Sequence, residues 1–264
     1  MDTETSRRID ARLESRDGGS VAFVTVDNRR KLNVLGRALM REFIVALEEL
    51  SARDDLRAVV ISGAGERAWI GGANIDEMAE LDAQSAREFI TLLHHACRAV
   101  RDCPVPVIAA IRGYTLGAGL ELAAGCDFRI AAADAIFGMP EVKVGIPSVI
   151  EAALLPTLIG WGRTRELLLF GENIDAAKAY EWGLIQSVVE PHMLDRTVET
   201  YLRALFATGP QAIRIQKKLI RRWEDLPLSE AIQAGIDAFA RSWASDEPRR
   251  LMQAFRDRRA RKLE

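Results

Sequence analysis

The sequence predicts an α/β core followed by an all-helical C-terminal region. Three observations carry this: short apolar runs bounded by turn residues, intervening segments whose apolar residues recur every three or four positions, and the end of strand signals after about residue 190. Short bounded apolar runs read as buried strands, and a 3.6-residue apolar period reads as an amphipathic helix. Strands alternating with helices require crossover connections, hence an α/β sheet.

In chain order, "VAFVTVD" (21–27) is the first strand, and Leu39, Met40, Phe43, Ile44, Leu47 and Leu50 mark the first helix. "RAVVISG" (57–63) is the second strand; Phe89, Leu92, Leu93, Ala96, Cys97 and Val100 mark the second helix. "PVIAAIRG" (106–113) and "FRIAAADA" (128–135) are further strands. Segments 192–208, 210–224, 228–243 and 246–262 read as helices, punctuated by Gly209-Pro210, Pro227 and Pro248. The expected division is a core over 1–195 carrying the active site, and a helical region over 196–264.

Of 264 residues, 48% are hydrophobic and 28% charged, an ordinary globular composition. Lys+Arg 36 against Asp+Glu 38 leaves a net charge of −2, so no field favours nucleic acid or a membrane surface as partner. The basic stretch "EPRRLMQAFRDRRARKLE" reads as a solvated helix face. Cys97, Cys103 and Cys126 form no CxxC motif and no even set, which suits free thiols in a reducing compartment. The opening "MDTETSRRIDARLESRDGG" is too polar for a secretory signal or anchor, and no apolar run reaches membrane-span length. A cytoplasmic location is expected.

Several common chemistries lack their residues: there is no GxxxxGK[ST], GxSxG or HExxH. Adjacent His94 and His95 project from different sides of a helix and cannot chelate together; one is expected to face the core and one the solvent. Gly63-x-Gly65-x-x-Ala68 imitates a dinucleotide fingerprint, but no long helix follows, so it reads as a turn after a strand.

Two carboxylates interrupt the driest part of the chain. Glu121 lies within "LGAGLELAAG" (116–125), and Glu141 ends "FGMPE". A buried carboxylate must shift its pKa or find a partner. The small-residue segments "IGGANI" (70–75) and "LGAGLE" (116–121) let backbone approach a ligand closely. The second opens a helix, whose first-turn N–H groups lack internal acceptors. Ala118 is among those donors, and Glu121 follows three residues later on roughly the same side.

"RAWIGGANIDEM", "PVIAAIRGYTLGAGLELAAGCDFRIAAADAIFGMPEVKVGIP" and "LLLFGENIDAAKAYEWGLIQSVVE" together resemble the enoyl-CoA hydratase/isomerase (crotonase) family, and the likeness spans nearly the whole chain. The resemblance implies a spiral of ββα units with a helical C-terminal trimerisation region, assembled as a homotrimer or homohexamer. It implies an acyl-CoA thioester substrate, with coenzyme A as part of the substrate and no metal or redox cofactor. By position, the Ala73 and Ala118 N–H groups match the family's oxyanion hole, and Glu121 and Glu141 match its two glutamates. Arg30, Lys31 and Leu32, with Gly71, Gly72, Asn74, Ile75 and Gly117, match its substrate- and CoA-binding segments.

Hydration of a 2-enoyl thioester needs a stabilised enolate oxygen, an activated water and a proton for the α-carbon. The resemblance gives Glu121 the water and Glu141 the α-carbon proton, although coupled carboxyls titrate as a pair. Phe137, Met139, Trp69 and Tyr114 are expected mainly to pack, and Asn74 to cap a helix. After "PEVKVGIP", where relatives continue with a glycine-rich stretch, this chain reads "SVIEAALLPTLIG". Val149 and Ile150 replace small residues, and Glu151 adds a third carboxylate, expected as a first-turn helix residue. Double-bond isomerisation and thioester hydrolysis remain alternatives within the family; a non-catalytic scaffold or RNA-binding relative is the alternative outside it.

Overall fold

The polar opening of the chain is a strand. In the computed structural model, which describes residues 8–261, Arg8–Arg16 (β1) pairs antiparallel with Gly19–Asp27 (β2) over its whole length. Gly18 turns the chain between them at φ 85°, which costs glycine little. As an edge strand, β1 leaves most side chains in solvent, so it carries no apolar run. Residues 1–7 of the polar opening, and residue 262 of the last expected helix, lie outside the described residues.

Arg37–Ser51 (α1) buries Leu39, Met40, Phe43, Leu47 and Leu50 on one face. Then come Leu56–Gly63 (β3), Ala68–Ile70 (β4), Ile75–Met78 (α2) and Ala83–Asp102 (α3), whose start carries a reciprocal Asp82–Ser85 capping box. Val107–Ile111 (β5), Tyr114–Leu116 (β6) and Ala118–Gly125 (α4) follow, then Phe128–Ala132 (β7) and Ile136–Gly138 (β8). Two 3-10 turns, Pro140–Val144 and Ile150–Leu154, lead into Leu155–Phe170 (α5). Ile174–Asp175 (β9), Ala176–Glu181 (α6), Ser187–Val189 (β10) and Leu194–Phe206 (α7) complete the order up to the C-terminal helices.

The strands form two sheets, ordered β1-β2-β3-β5-β7-β10 and β4-β6-β8-β9. Each of the pairs β3/β4, β5/β6 and β7/β8 sends its first strand to the larger sheet and its second to the smaller. Helix α3 follows the first pair and α4 the second, which is the ββα spiral that the resemblance implies. Val59, Ile61, Val107, Ala109 and Ala131 of the larger sheet have no exposure, which is why these strands read as unbroken apolar runs. Strands β4, β6 and β8 run parallel, with Ile70 beside Thr115 and Leu116 beside Gly138. Their C-terminal ends therefore share one edge, and segments 71–75, 117–121 and 139–141 all leave from it.

The Gly63–Gly65 motif runs into strand β4 rather than a helix, as its reading as a turn requires. Trp69, Phe137 and Met139 are fully buried, the Trp69 indole donating to the Ile61 carbonyl over 3.0 Å. Tyr114 departs from the packing expected of it: β6 is short and starts at the sheet's rim, leaving this side chain 41% exposed.

The described residues divide into two compact units, the first ending at Tyr201 and the second beginning at Leu202. The second holds Pro210–Trp223 (α8), Leu228–Ser242 (α9) and Glu247–Ala260 (α10). Its small core is Leu219, Ala234 and Ala238, flanked by Ile215 and Leu226. Buried Glu247 accepts from the Gln211 and Ala212 amides at 3.1 and 2.9 Å, capping α8 where Pro210 opens it. The basic C-terminal stretch lies on α10, where residues 249–261 are all exposed.

Candidate active site

A cleft of about 820 Å³ opens over the shared strand edge. Gly71, Gly72, Ala73, Ile75, Gly117, Ala118, Glu121 and Glu141 all line it. Arg30, Lys31, Leu32 and Asn74 do not. Leu32 instead holds the first segment in place: its carbonyl accepts from Gly71 N–H, while Leu35 N–H donates to Gly72 and Asn74 N–H to Leu35, each over 2.8 Å. Asn33 supports that loop at φ 56°, its amide donating to the Ala64 and Ala68 carbonyls at 3.0 and 2.7 Å. Lys31 pairs with Asp76 over 2.6 Å, and Arg30 is exposed. Asn74 caps α2, accepting from the Asp76 amide over 3.1 Å.

The two small-residue segments lie side by side. A Cβ on Gly72 (φ 123°) would stand 3.4 Å from the Leu116 carbonyl oxygen. Gly119 lets α4 approach β4 so closely that a side chain there would strike the Ile70 carbonyl. Neither the Ala73 nor the Ala118 N–H has an acceptor among the described residues, and both residues face the cleft. Buried amides are normally paired, so two free donors at one cavity suit an oxygen supplied by a ligand.

Glu121 sits in the first turn of α4 and is 4% exposed. Burial, reinforced by the neighbouring charge of Glu141, raises its carboxyl from the usual 4.5 to about 8. The Ala152 N–H, donating to Oε1 over 3.3 Å, partly offsets this. Glu141, on the 140–144 turn, is half-buried and accepts from the Ser148 hydroxyl over 2.8 Å. At neutral pH such a pair can hold one proton between two carboxyls. It can therefore give a proton to one atom while taking one from another.

Apolar side chains make up much of the remaining lining, Met78, Leu81, Phe89, Ile90 and Leu93 with Val144, Ile146 and Val149, while Asp82, Arg87 and Lys143 add charge to it. An acyl chain fits such walls. Sequence reasoning missed Ser148, because a serine seven residues after Glu141 carries no spacing signal. His95 is exposed, but His94 neither faces the core nor stands free: it leans half-exposed on the buried carboxylate of Glu151.

A family model described as enoyl-CoA hydratase/isomerase matches residues 16–264. The chain belongs to the enoyl-CoA hydratase/isomerase family. It is 33% identical to a short-chain-enoyl-CoA hydratase of Clostridium acetobutylicum over 91% of this chain and 93% of that one. Likewise it is 32% identical to a crotonyl-CoA hydratase of Syntrophomonas wolfei over 90% and 92%. The crystal structure of an enoyl-CoA hydratase from Bacillus anthracis superposes with a TM-score of 0.90 at 31% identity, covering 96% of this chain and 97% of that one. The fold is thus that of the crotonase family, and the chain is similar to its hydratases along nearly its whole length.

Proposed function

We propose that this protein is an enoyl-CoA hydratase, a lyase that adds water across the 2,3 double bond of an α,β-unsaturated acyl-CoA thioester. One observation carries the reading: two carboxyls, one deeply buried, and two acceptor-free backbone N–H groups line one apolar cleft. The thioester oxygen lies between the Ala73 and Ala118 amides, which stabilise the enolate-like charge; each donor contributes roughly 3–4 kcal/mol to the transition state. One carboxylate takes a proton from water as its oxygen bonds to carbon 3, and the other carboxyl gives its proton to carbon 2. The pair starts and ends with one proton, so the step balances without a redox change.

The water and the α-carbon are assigned to the Glu121/Glu141 pair acting as a unit, with the Ala152 amide fixing the orientation of Glu121. The glycine-rich segment 71–75 and its backing loop 29–35 are assigned to the CoA portion. Among the described residues no group of three or more His, Cys, Asp or Glu could hold a metal ion. No helix of the described residues is long and apolar enough to cross a membrane. A homotrimer or homohexamer is supported by Leu228, Ile232, Ile236 and Phe239, an exposed apolar stripe along α9.

The test is the loss of conjugated enoyl absorbance with crotonyl-CoA and longer 2-enoyl-CoA esters. Hydration with a product 18 daltons heavier is expected. Release of free CoA, or turnover of β,γ-unsaturated esters that survives in Glu121→Ala, would instead assign hydrolysis or isomerisation.

A further inference from the structure

Glu151 is ionisable, 2% exposed and absent from the cleft lining, so the reaction gives it no direct task. A carboxylate so buried needs partners. Helix α3 supplies them: His94 Nδ1 lies 3.0 and 3.2 Å from its two oxygens, and Arg101 Nη1 lies 3.7 Å from Oε1. In this contact Nδ1 donates, and the Glu151 oxygens accept, in the tautomer that carries the ring hydrogen on Nδ1. The two partners sit two turns apart on a twenty-residue helix that packs against α1 and α4. The clamp is therefore fixed to a rigid part of the core.

The neighbours of Glu151 show what the clamp holds. One residue before it, Ile150 stands at φ 38°, a region that a β-branched residue enters only under strain. One residue after it, the Ala152 N–H donates to Glu121. The turn is strained on one side of Glu151 and delivers a donor to a reacting carboxyl on the other. Where the family pattern has glycine-rich backbone, this chain has a strained isoleucine and a buried anchor.

We infer that Glu151 is a positioning residue: clamped by His94 and Arg101, it holds the 149–152 turn so that the Ala152 amide is aimed at Glu121. The kinetic part of this inference rests on the hydratase reading; the structural part does not.

The test compares wild type with Glu151→Ala and Glu151→Gln, by hydrogen-exchange mass spectrometry of peptides covering 148–155 and by kinetics with crotonyl-CoA. Glu151→Ala is expected to speed exchange in that segment and to lower kcat about 10–100-fold, with KM within about threefold, the signature of a misplaced catalytic group. Glu151→Gln keeps an acceptor for His94 and is expected to hold kcat within about fivefold. Because Ile150→Gly removes the strain, adding Glu151→Ala to it should cost less kcat than in wild type. Should Glu151→Ala fail to fold, His94→Ala loosens the same clamp from its half-exposed side, with the same direction in both readouts. Unchanged exchange, unchanged kcat, or equal losses in both backgrounds would overturn the inference. If wild type hydrates no enoyl-CoA, the hydratase reading fails, and exchange alone still decides whether Glu151 holds the turn.

Discussion

The carboxylate of Glu141 fills the space that a side chain on Gly117 would need. Gly117 also adopts φ 50° and ψ −119°, a conformation closed to residues with a Cβ. One glycine thus sets both the start of α4, with its Ala118 donor, and the place of the second carboxyl. Gly117→Ala is expected to lose about 1–3 kcal/mol of stability from backbone strain. A drop of about 100-fold in kcat should accompany it, from displacement of Glu141. Thermal melting and crotonyl-CoA turnover measure the two effects separately.

Proton occupancy of the carboxyl pair gives a pH dependence. Glu121 ionises near 4.5 in the unfolded chain and at about 8 in the folded protein. Between those values the folded state binds a proton that the unfolded state has released, so this group's contribution to stability is full below 4.5 and lost as pH rises through about 8. Catalysis that needs one proton on the pair falls over the same upper limb, whichever carboxyl is the acid. Activity is expected to decline above about pH 8. Glu121→Gln should melt higher than wild type at pH 9, with the difference shrinking below pH 5. A pH–rate profile and melting curves check both.

Ser148 donates the one side-chain hydrogen bond made to Glu141 among the described residues. Hydrogen bonds to charged groups contribute about 1.5–3 kcal/mol, so Ser148→Ala is expected to lower kcat roughly 10–100-fold. Ser148→Thr, which retains the hydroxyl, should recover most of it.

Ala118 is the first residue of α4, a position where proline keeps helix geometry but lacks the N–H. Ala118→Pro is expected to reduce kcat/KM by about 100–1,000-fold while the circular dichroism spectrum stays native. Near-normal turnover in the folded variant would remove this amide from the reaction.

The four strands legible in the sequence, β2, β3, β5 and β7, are buried along most of their length and so carry mainly apolar runs. By contrast, β1 exposes an edge, and β4, β6 and β8 are three residues long, too short for any period to register. At the site, Glu121 and Glu141 were legible because a carboxyl amid aliphatic residues is costly, and Gly117 because close backbone approach requires it. The supports were not. Glu151 meets His94 across 57 residues, a pairing made only by the packing of α3 on the 150–154 turn. Arg30 and Lys31 were grouped with the site by their neighbours, yet their side chains stand outside the cleft while the backbone of Leu32 does the holding.

The most direct measurement is crotonyl-CoA hydration by Glu121→Gln, Glu141→Gln and the double variant, all with substrate binding measured independently. If the carboxyls share one proton and act as a unit, each single substitution should cost about 10²–10⁴-fold in kcat, and the double should cost little more. Binding should stay within about threefold, because the amides fill the same space. Losses that multiply, or a single variant with near-native turnover, would contradict a shared role.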